Sequence, residues 1–171
     1  MSDPPVSVAL IGFMGAGKSH VGMLLAPRLR LPFVDTDTLI AEELGSIESV
    51  FAERGEAFFR SVERDVAIAV LEQSGRVPGV ISVGGGAVLD EGVRAALSRL
   101  RHVVWLTAAV EVLFSRAAEG GRPLAQDPGG FARLYEERRA LYERLATAVV
   151  VNDGARPLDA VVDEIVTVTR G

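Results

Sequence analysis

Gly12-Phe13-Met14-Gly15-Ala16-Gly17-Lys18-Ser19 decides how this chain is read. The stretch fits G-x-x-x-x-G-K-[ST], a loop that cradles phosphate. It follows the apolar run Val6 to Ile11, which reads as a strand, and it leads into a helix-forming stretch that begins near Gly17. A strand before and a helix after are the context the motif needs. Glycine lets backbone N–H groups turn inward around phosphate oxygens with no Cβ in the way. The start of the helix points its positive dipole end at the same anion. Gly15, Ala16 and Gly17 form the cradle, Lys18 reaches the β- and γ-phosphates, and Ser19 offers its hydroxyl to Mg²⁺. The loop predicts a bound nucleotide. It leaves the acceptor open, because ATPases, GTP switches and small-molecule kinases all share it.

Size and composition narrow the choice. The chain has 171 residues, enough for one domain with a substantial core. Its balance of 49% hydrophobic and 24% charged residues is that of an ordinary globular protein. The absence of cysteine excludes disulfides, zinc–cysteine sites and thiol catalysis. A formal net charge of −5 with no long basic cluster disfavours nucleic acid as a partner. No apolar run approaches the length of a membrane span, so no membrane partner is expected. Met1-Ser2-Asp3-Pro4-Pro5 has no charged segment leading into an apolar one, so no signal peptide is expected. The expectation is a cytoplasmic monomer.

Strand-like runs recur at Val6–Ile11, Leu31–Val34, Val80–Val83, Val103–Leu106 and Val149–Val151, with amphipathic stretches between them. Continuous apolar strands alternating with helices predict an α/β protein, a five-stranded parallel sheet between two helical layers. In such sheets ligands sit at the C-terminal strand ends. Gly12–Gly17, Gly84–Gly86 and Gly120–Gly121 are candidates for that edge. Pro27 falls inside the first helix, where it removes a backbone donor, and predicts a kink or an early end.

Phe33-Val34-Asp35-Thr36-Asp37 puts two carboxylates after the second strand. Alternate residues at a strand end point to different sides, so the two acids can serve different partners. One can face the phosphate loop and hold the hydration shell of Mg²⁺. The other can face an acceptor hydroxyl, orient it and draw off its proton. Asp37 equally suits a helix cap before Leu39-Ile40. Arg60 and Arg138 read either as substrate-gripping cations or as members of solvated helix faces, with Arg64, Arg139 and Arg144 nearby.

The ordered set of motifs resembles the shikimate kinases. It comprises the phosphate loop, Phe33-Val34-Asp35-Thr36-Asp37, Gly55 to Glu63, Ser82-Val83-Gly84-Gly85-Gly86-Ala87, Arg122-Pro123-Leu124 and Arg138-Arg139-Ala140-Leu141-Tyr142. The resemblance runs from Val6 to the last helix. It implies the P-loop NTPase fold of the nucleoside monophosphate kinase-like kind, a single domain over residues 1–171. It also implies a substrate-binding helical insertion at about 36–64 and a mobile lid at about 117–131. The implied reaction moves the ATP γ-phosphate to the 3-hydroxyl of shikimate.

The resemblance also assigns roles. Asp37, Arg60 and Arg138 match the substrate residues, together with the Gly84-Gly85-Gly86 turn. Guanidinium groups suit a carboxylate, and a carboxylate suits hydroxyls. Lys18, Asp37 and Arg122 become the catalytic set, with Arg122 carried on the lid toward the phosphates as an internal arginine finger. Arg116 matches an arginine against the adenine, and Arg156-Pro157 resembles the family's adenine loop. Ser19 and Asp35 are left as the Mg²⁺ partners, since the strand before Gly84 ends without an Asp.

The chain departs from the family where His20 replaces a usual Thr at the α-phosphate, and where Val151-Asn152-Asp153-Gly154-Ala155 lacks a Thr. Two alternatives stand beside this reading. A gluconate or nucleoside kinase would not need both Arg60 and Arg138. A non-catalytic nucleotide-binding relative would be expected to have lost Lys18, Asp37 or Arg122.

Overall fold

A computed structural model describes residues 6–170; the segment Met1–Pro5, which carries the signal-peptide expectation, lies outside them. Five parallel strands form one sheet in the order β2-β3-β1-β4-β5. They are β1 (Val8–Ile11), β2 (Phe33–Asp35), β3 (Val80–Ser82), β4 (His102–Thr107) and β5 (Ala148–Val151). Seven α-helices connect and flank them among the described residues: α1 (Lys18–Leu29), α2 (Thr36–Leu44), α3 (Ile47–Gln73), α4 (Glu91–Leu97), α5 (Val110–Glu119), α6 (Pro128–Leu145) and α7 (Leu158–Arg170). Every residue of β1 and β3 is buried, as both faces of a covered parallel sheet demand. Helix α1 packs on α7, α3 on α4, and α5 on α6.

The central strand β1 pairs with β3 on one side and β4 on the other. The connection from β1 runs toward β2 and that from β4 toward β5, in opposite directions, so a crevice opens between their C-terminal ends. A large core around Leu10, Val21, Leu106, Leu113, Phe131 and Ile165 holds the sheet and its helices together. A smaller cluster of Ile40, Val50 and Phe59 ties α2 to α3.

Some local expectations shift. β2 begins at Phe33 instead of Leu31, because Pro32 has no N–H for the ladder and contributes only its carbonyl, which accepts from Val80 at 2.9 Å. The shift places Asp35 at the strand end. α1 passes through Pro27 and closes at Leu29, where a kink or early end was expected. The carbonyl that Pro27 leaves without its helical donor belongs to Met23, a residue on the exposed face of α1. Arg30, at φ 57°, then ends the helix with N–H bonds back to Ala26 and Pro27. The long helix α3 is two helices joined at Gly55, whose φ of 83° and ψ of 168° no helix accommodates.

Candidate active site

Parallel strands deliver their following loops to one edge. Residues 12–17 after β1, Asp35 to Asp37 at the junction of β2 and α2, and 84–86 after β3 converge there around a cavity of about 610 Å³. The phosphate loop holds its shape through Gly15, at φ 83°, where a Cβ would stand 2.3 Å from the Leu113 carbonyl oxygen. Ala16 is fully buried behind the loop. The first bond of α1 runs from the Val21 N–H to the Gly17 carbonyl at 2.9 Å. The N–H groups of Lys18, Ser19 and His20 precede it and have no intrahelical acceptor. His20 is exposed at the cavity wall.

Lys18 folds back so that Nζ donates to the carbonyls of Gly12 at 2.8 Å and Phe13 at 3.3 Å. Burial lowers its pKa to about 8, against an opposing pull from Asp37, with Arg122 adding to the lowering. Burial disfavours the charged amine, and an anion held beside Nζ would favour it again.

Asp35 serves two elements at once. Its Oδ2 accepts from the Ser19 hydroxyl at 2.5 Å, and its Oδ1 accepts from the Thr38 N–H at 3.0 Å. The cap of α2 is therefore Asp35. This corrects the cap alternative for Asp37. Asp37 sits in the first turn with its carboxylate free of capping, 3.3 Å from Nη1 of Arg122.

Arg60 and Arg138 are not on a solvated face. Arg138 is 3% exposed, with its guanidinium 5.2 Å from the centre of the Phe13 ring, and has no ion pair among the described residues. Arg60 donates to Glu63 at 2.6 Å and reaches Glu56 at 3.5 Å. Its guanidinium lies so close to Gly86 that a Cβ there would fall 1.8 Å from Nη1. A side chain at Gly86 would push the Arg60 guanidinium from its present place. Gly85 lines the cavity as well, and its carbonyl accepts from the Tyr142 hydroxyl at 2.6 Å. Gly84 is set back from the cavity, packed on the carboxylates of Glu63 and Asp37.

At the other end, Nη1 of Arg116 donates to the carbonyls of Asn152 at 2.7 Å and Gly15 at 3.3 Å. Arg156 is not brought to this cavity. It bonds the Val151 carbonyl at 3.0 Å and is ion-paired with Glu164.

One cavity thus joins a phosphate loop, a hydroxyl–carboxylate pair, two inward guanidinium groups and an acid facing an arginine of the loop after α5. Comparison with known proteins settles the lineage. The family model described as shikimate kinase matches residues 14–170. The chain belongs to the shikimate kinase family. It is 41% identical over 163 residues to a shikimate kinase of Stenotrophomonas maltophilia, covering 92% of this chain and 89% of that one. The solved shikimate kinase from Acinetobacter baumannii in complex with shikimate superposes with a TM-score of 0.88 at 28% identity, covering 98% of this chain and 94% of that one. A gluconokinase from Sinorhizobium meliloti reaches a TM-score of 0.63 at 23% identity, covering 96% and 91%, and shares the fold alone.

Two buried polar residues beside the cavity have no role in the sequence analysis. Glu63 is 2% exposed, holds Arg60, and has its pKa raised by burial, with Arg60 opposing. Its signal was spacing: Glu56 and Glu63 stand four before and three after Arg60, on one helix face. Thr36, fully buried between the two acids, accepts from the Gly84 N–H at 2.9 Å and so ties the β2 end to the β3 end. Nothing local marks it, because the partner is 48 residues away.

Proposed function

We propose that this protein transfers the γ-phosphoryl group of ATP to the 3-hydroxyl of shikimate, releasing ADP and shikimate 3-phosphate on the route to aromatic amino acids. The observation that carries the reading is Arg138, a buried guanidinium without a carboxylate partner, in the same cavity as Asp37. A permanent buried cation is tolerated when a ligand anion completes it. Shikimate supplies one carboxylate for Arg138 and Arg60, and ring hydroxyls for Asp37. Phe51 and Phe59 line the same cavity and give the ring an apolar wall.

The phosphate loop and Lys18 hold the donor. Ser19 and Asp35 suit Mg²⁺, since two hard oxygens 2.5 Å apart stand at the cavity wall and this ion takes few protein ligands beside water and phosphate. When bound, the ion neutralises charge on the phosphate oxygens. Asp37 accepts a hydrogen bond from the attacking hydroxyl, orients it, and takes its proton as the new P–O bond forms. Arg122 leaves Asp37 for the transferring phosphoryl group, where charge gathers on the equatorial oxygens. Residues of about 117–131 act as the lid that carries it, and about 36–64 act as the acceptor-binding insertion of a single kinase domain. Closure keeps water from competing as acceptor. Arg116 is offered to the adenine. Arg156 supports the adenine loop from behind through Glu164.

The test is ADP release with shikimate, with gluconate and with neither. ADP is expected with shikimate alone. Release that depends on gluconate and not on shikimate overturns the assignment.

A further inference from the structure

The carbonyls on the outer side of the phosphate loop are as instructive as the N–H groups on its inner side. A trans peptide is planar, and its C=O and N–H point in opposite directions. Whatever holds the carbonyl of one residue therefore aims the N–H of the next. The Ala16 carbonyl accepts from Nδ2 of Asn152 at 2.9 Å, in a buried contact spanning 136 positions of sequence. The N–H on the same peptide belongs to Gly17. It has no backbone acceptor among the described residues, and Gly17 caps α1 without any side-chain bond.

Asn152 is itself fixed on several sides. It is 7% exposed. Its N–H donates to the Thr107 carbonyl at 2.8 Å, continuing the ladder past β5. Its carbonyl accepts from Arg116 at 2.7 Å, and the same Arg116 nitrogen also donates to the Gly15 carbonyl at 3.3 Å. A Cβ on Gly17 would lie 2.6 Å from Nδ2 of Asn152. The Asn152 amide thus packs directly against Gly17.

We propose that Asn152 is a positioning residue for the donor phosphates: through the Ala16 carbonyl it holds the Gly17 N–H toward the anion, and Arg116 braces the neighbouring peptide through Gly15. The inference rests on the reading of residues 12–19 as the ATP-phosphate site. It gives the end of β5 a role in phosphate binding separate from any contact with the base. An amide is suited to this place because it donates without charge. A carboxylate would set like partial charges of two acceptors against each other and add a negative charge beside the phosphates.

The test compares Asn152→Leu and Asn152→Asp with the wild-type chain, using calorimetric binding of MgADP, inorganic tripolyphosphate and shikimate, with thermal melting alongside. Leu keeps the branched outline, with two methyls in place of the amide oxygen and nitrogen, and removes the donor. Asn152→Leu is expected to weaken MgADP and tripolyphosphate alike by about tenfold, the scale of one lost buried hydrogen bond. Asn152→Asp is expected to weaken both further, and shikimate binding is expected to stay within twofold. Asn152→His, which restores an N–H donor, is expected to recover part of the loss. Unchanged tripolyphosphate binding with weakened MgADP would assign Asn152 to the base and overturn the proposal. A parallel loss of shikimate affinity and melting temperature would make it a folding residue and overturn it equally. Wild-type chain that binds neither MgADP nor tripolyphosphate would remove the phosphate-site reading itself, and the proposal with it.

Discussion

The two halves of the cavity are built from different materials. The donor half is mostly backbone: a run of eight consecutive residues, Gly12 to Ser19, whose N–H groups and glycine angles make the site, with one lysine added. The acceptor half is almost all side chain. Asp37 comes from the start of α2, Arg60 and Glu63 from α3, Arg138 from α6, and the arginine facing Asp37 from the loop after α5. Backbone recognises phosphate in any nucleotide, so a local stretch can be shared across many chemistries. Side chains gathered from distant elements recognise one acceptor. They depend on the fold to meet, and they carry a burial cost that only the right ligand offsets.

The sharpest way to break this contrast is to cut the contact between Asp37 and Arg122. Arg122→Ala should lower turnover by about a thousandfold, at the low end for an arginine finger. Its melting temperature should stay within a few degrees, because the Arg122 side chain is 37% exposed and its bond to Asp37 is a long one of 3.3 Å. Steady-state kinetics beside thermal melting decide it. Turnover within threefold of wild type would show that Arg122 only guards Asp37.

The acceptor half can be tested for its burial cost. Arg138→Leu should lose about a hundredfold in shikimate affinity, the scale of a bidentate charged contact. It should leave MgADP affinity unchanged, and its melting temperature should be no lower than wild type, since a buried cation without an ion pair is being removed. A folded variant that still binds shikimate normally would move the carboxylate elsewhere. A fall in MgADP affinity of equal size would erase the division between halves.

The same division explains what could be read in advance. The phosphate loop, the parallel sheet and the acids after β2 were legible because each is a local pattern: a motif, an apolar run, or neighbours in sequence. The assignment of Asp35 as cap and Asp37 as free acid was not, because it turns on where β2 ends, and that end lies one residue beyond the apolar run, at Asp35. Arg60 and Arg138 looked like Arg64 and Arg139 in sequence. Only packing separates Arg138, buried against Phe13, from Arg139, exposed and paired with Glu136. Ordered motifs of the family singled out both substrate arginines, whereas helical periodicity alone would have left them on the surface. Arg156 shows the converse: a motif match whose side chain pairs with Glu164 and does not line the cavity.

The smallest effect tests the donor half through the charge of Lys18, the only lysine in the sequence. Burial holds its pKa at about 8, below the ordinary 10.5. In the unfolded chain the amine binds its proton up to the ordinary value, so between about 8 and 10.5 the unfolded state carries more protons and this group makes stability rise with pH. Phosphate in the loop favours the ammonium and lifts the pKa again. MgADP affinity should therefore be flat below pH 8 and fall above it, by at most about tenfold per pH unit. Calorimetry in buffers of different ionisation heat should show proton uptake on binding at pH 9 and little at pH 7. Shikimate binding in the absence of nucleotide should show less of this dependence, because its carboxylate is held by arginines that keep their charge. A single lysine makes the group directly observable: reductive methylation with labelled formaldehyde gives one ε-amine resonance, whose titration midpoint should rise when MgADP is added. A midpoint near 10.5 in the free protein, or affinity constant from pH 7.5 to 9.5, would mean that Lys18 is solvated and that the donor half is less enclosed than the acceptor half.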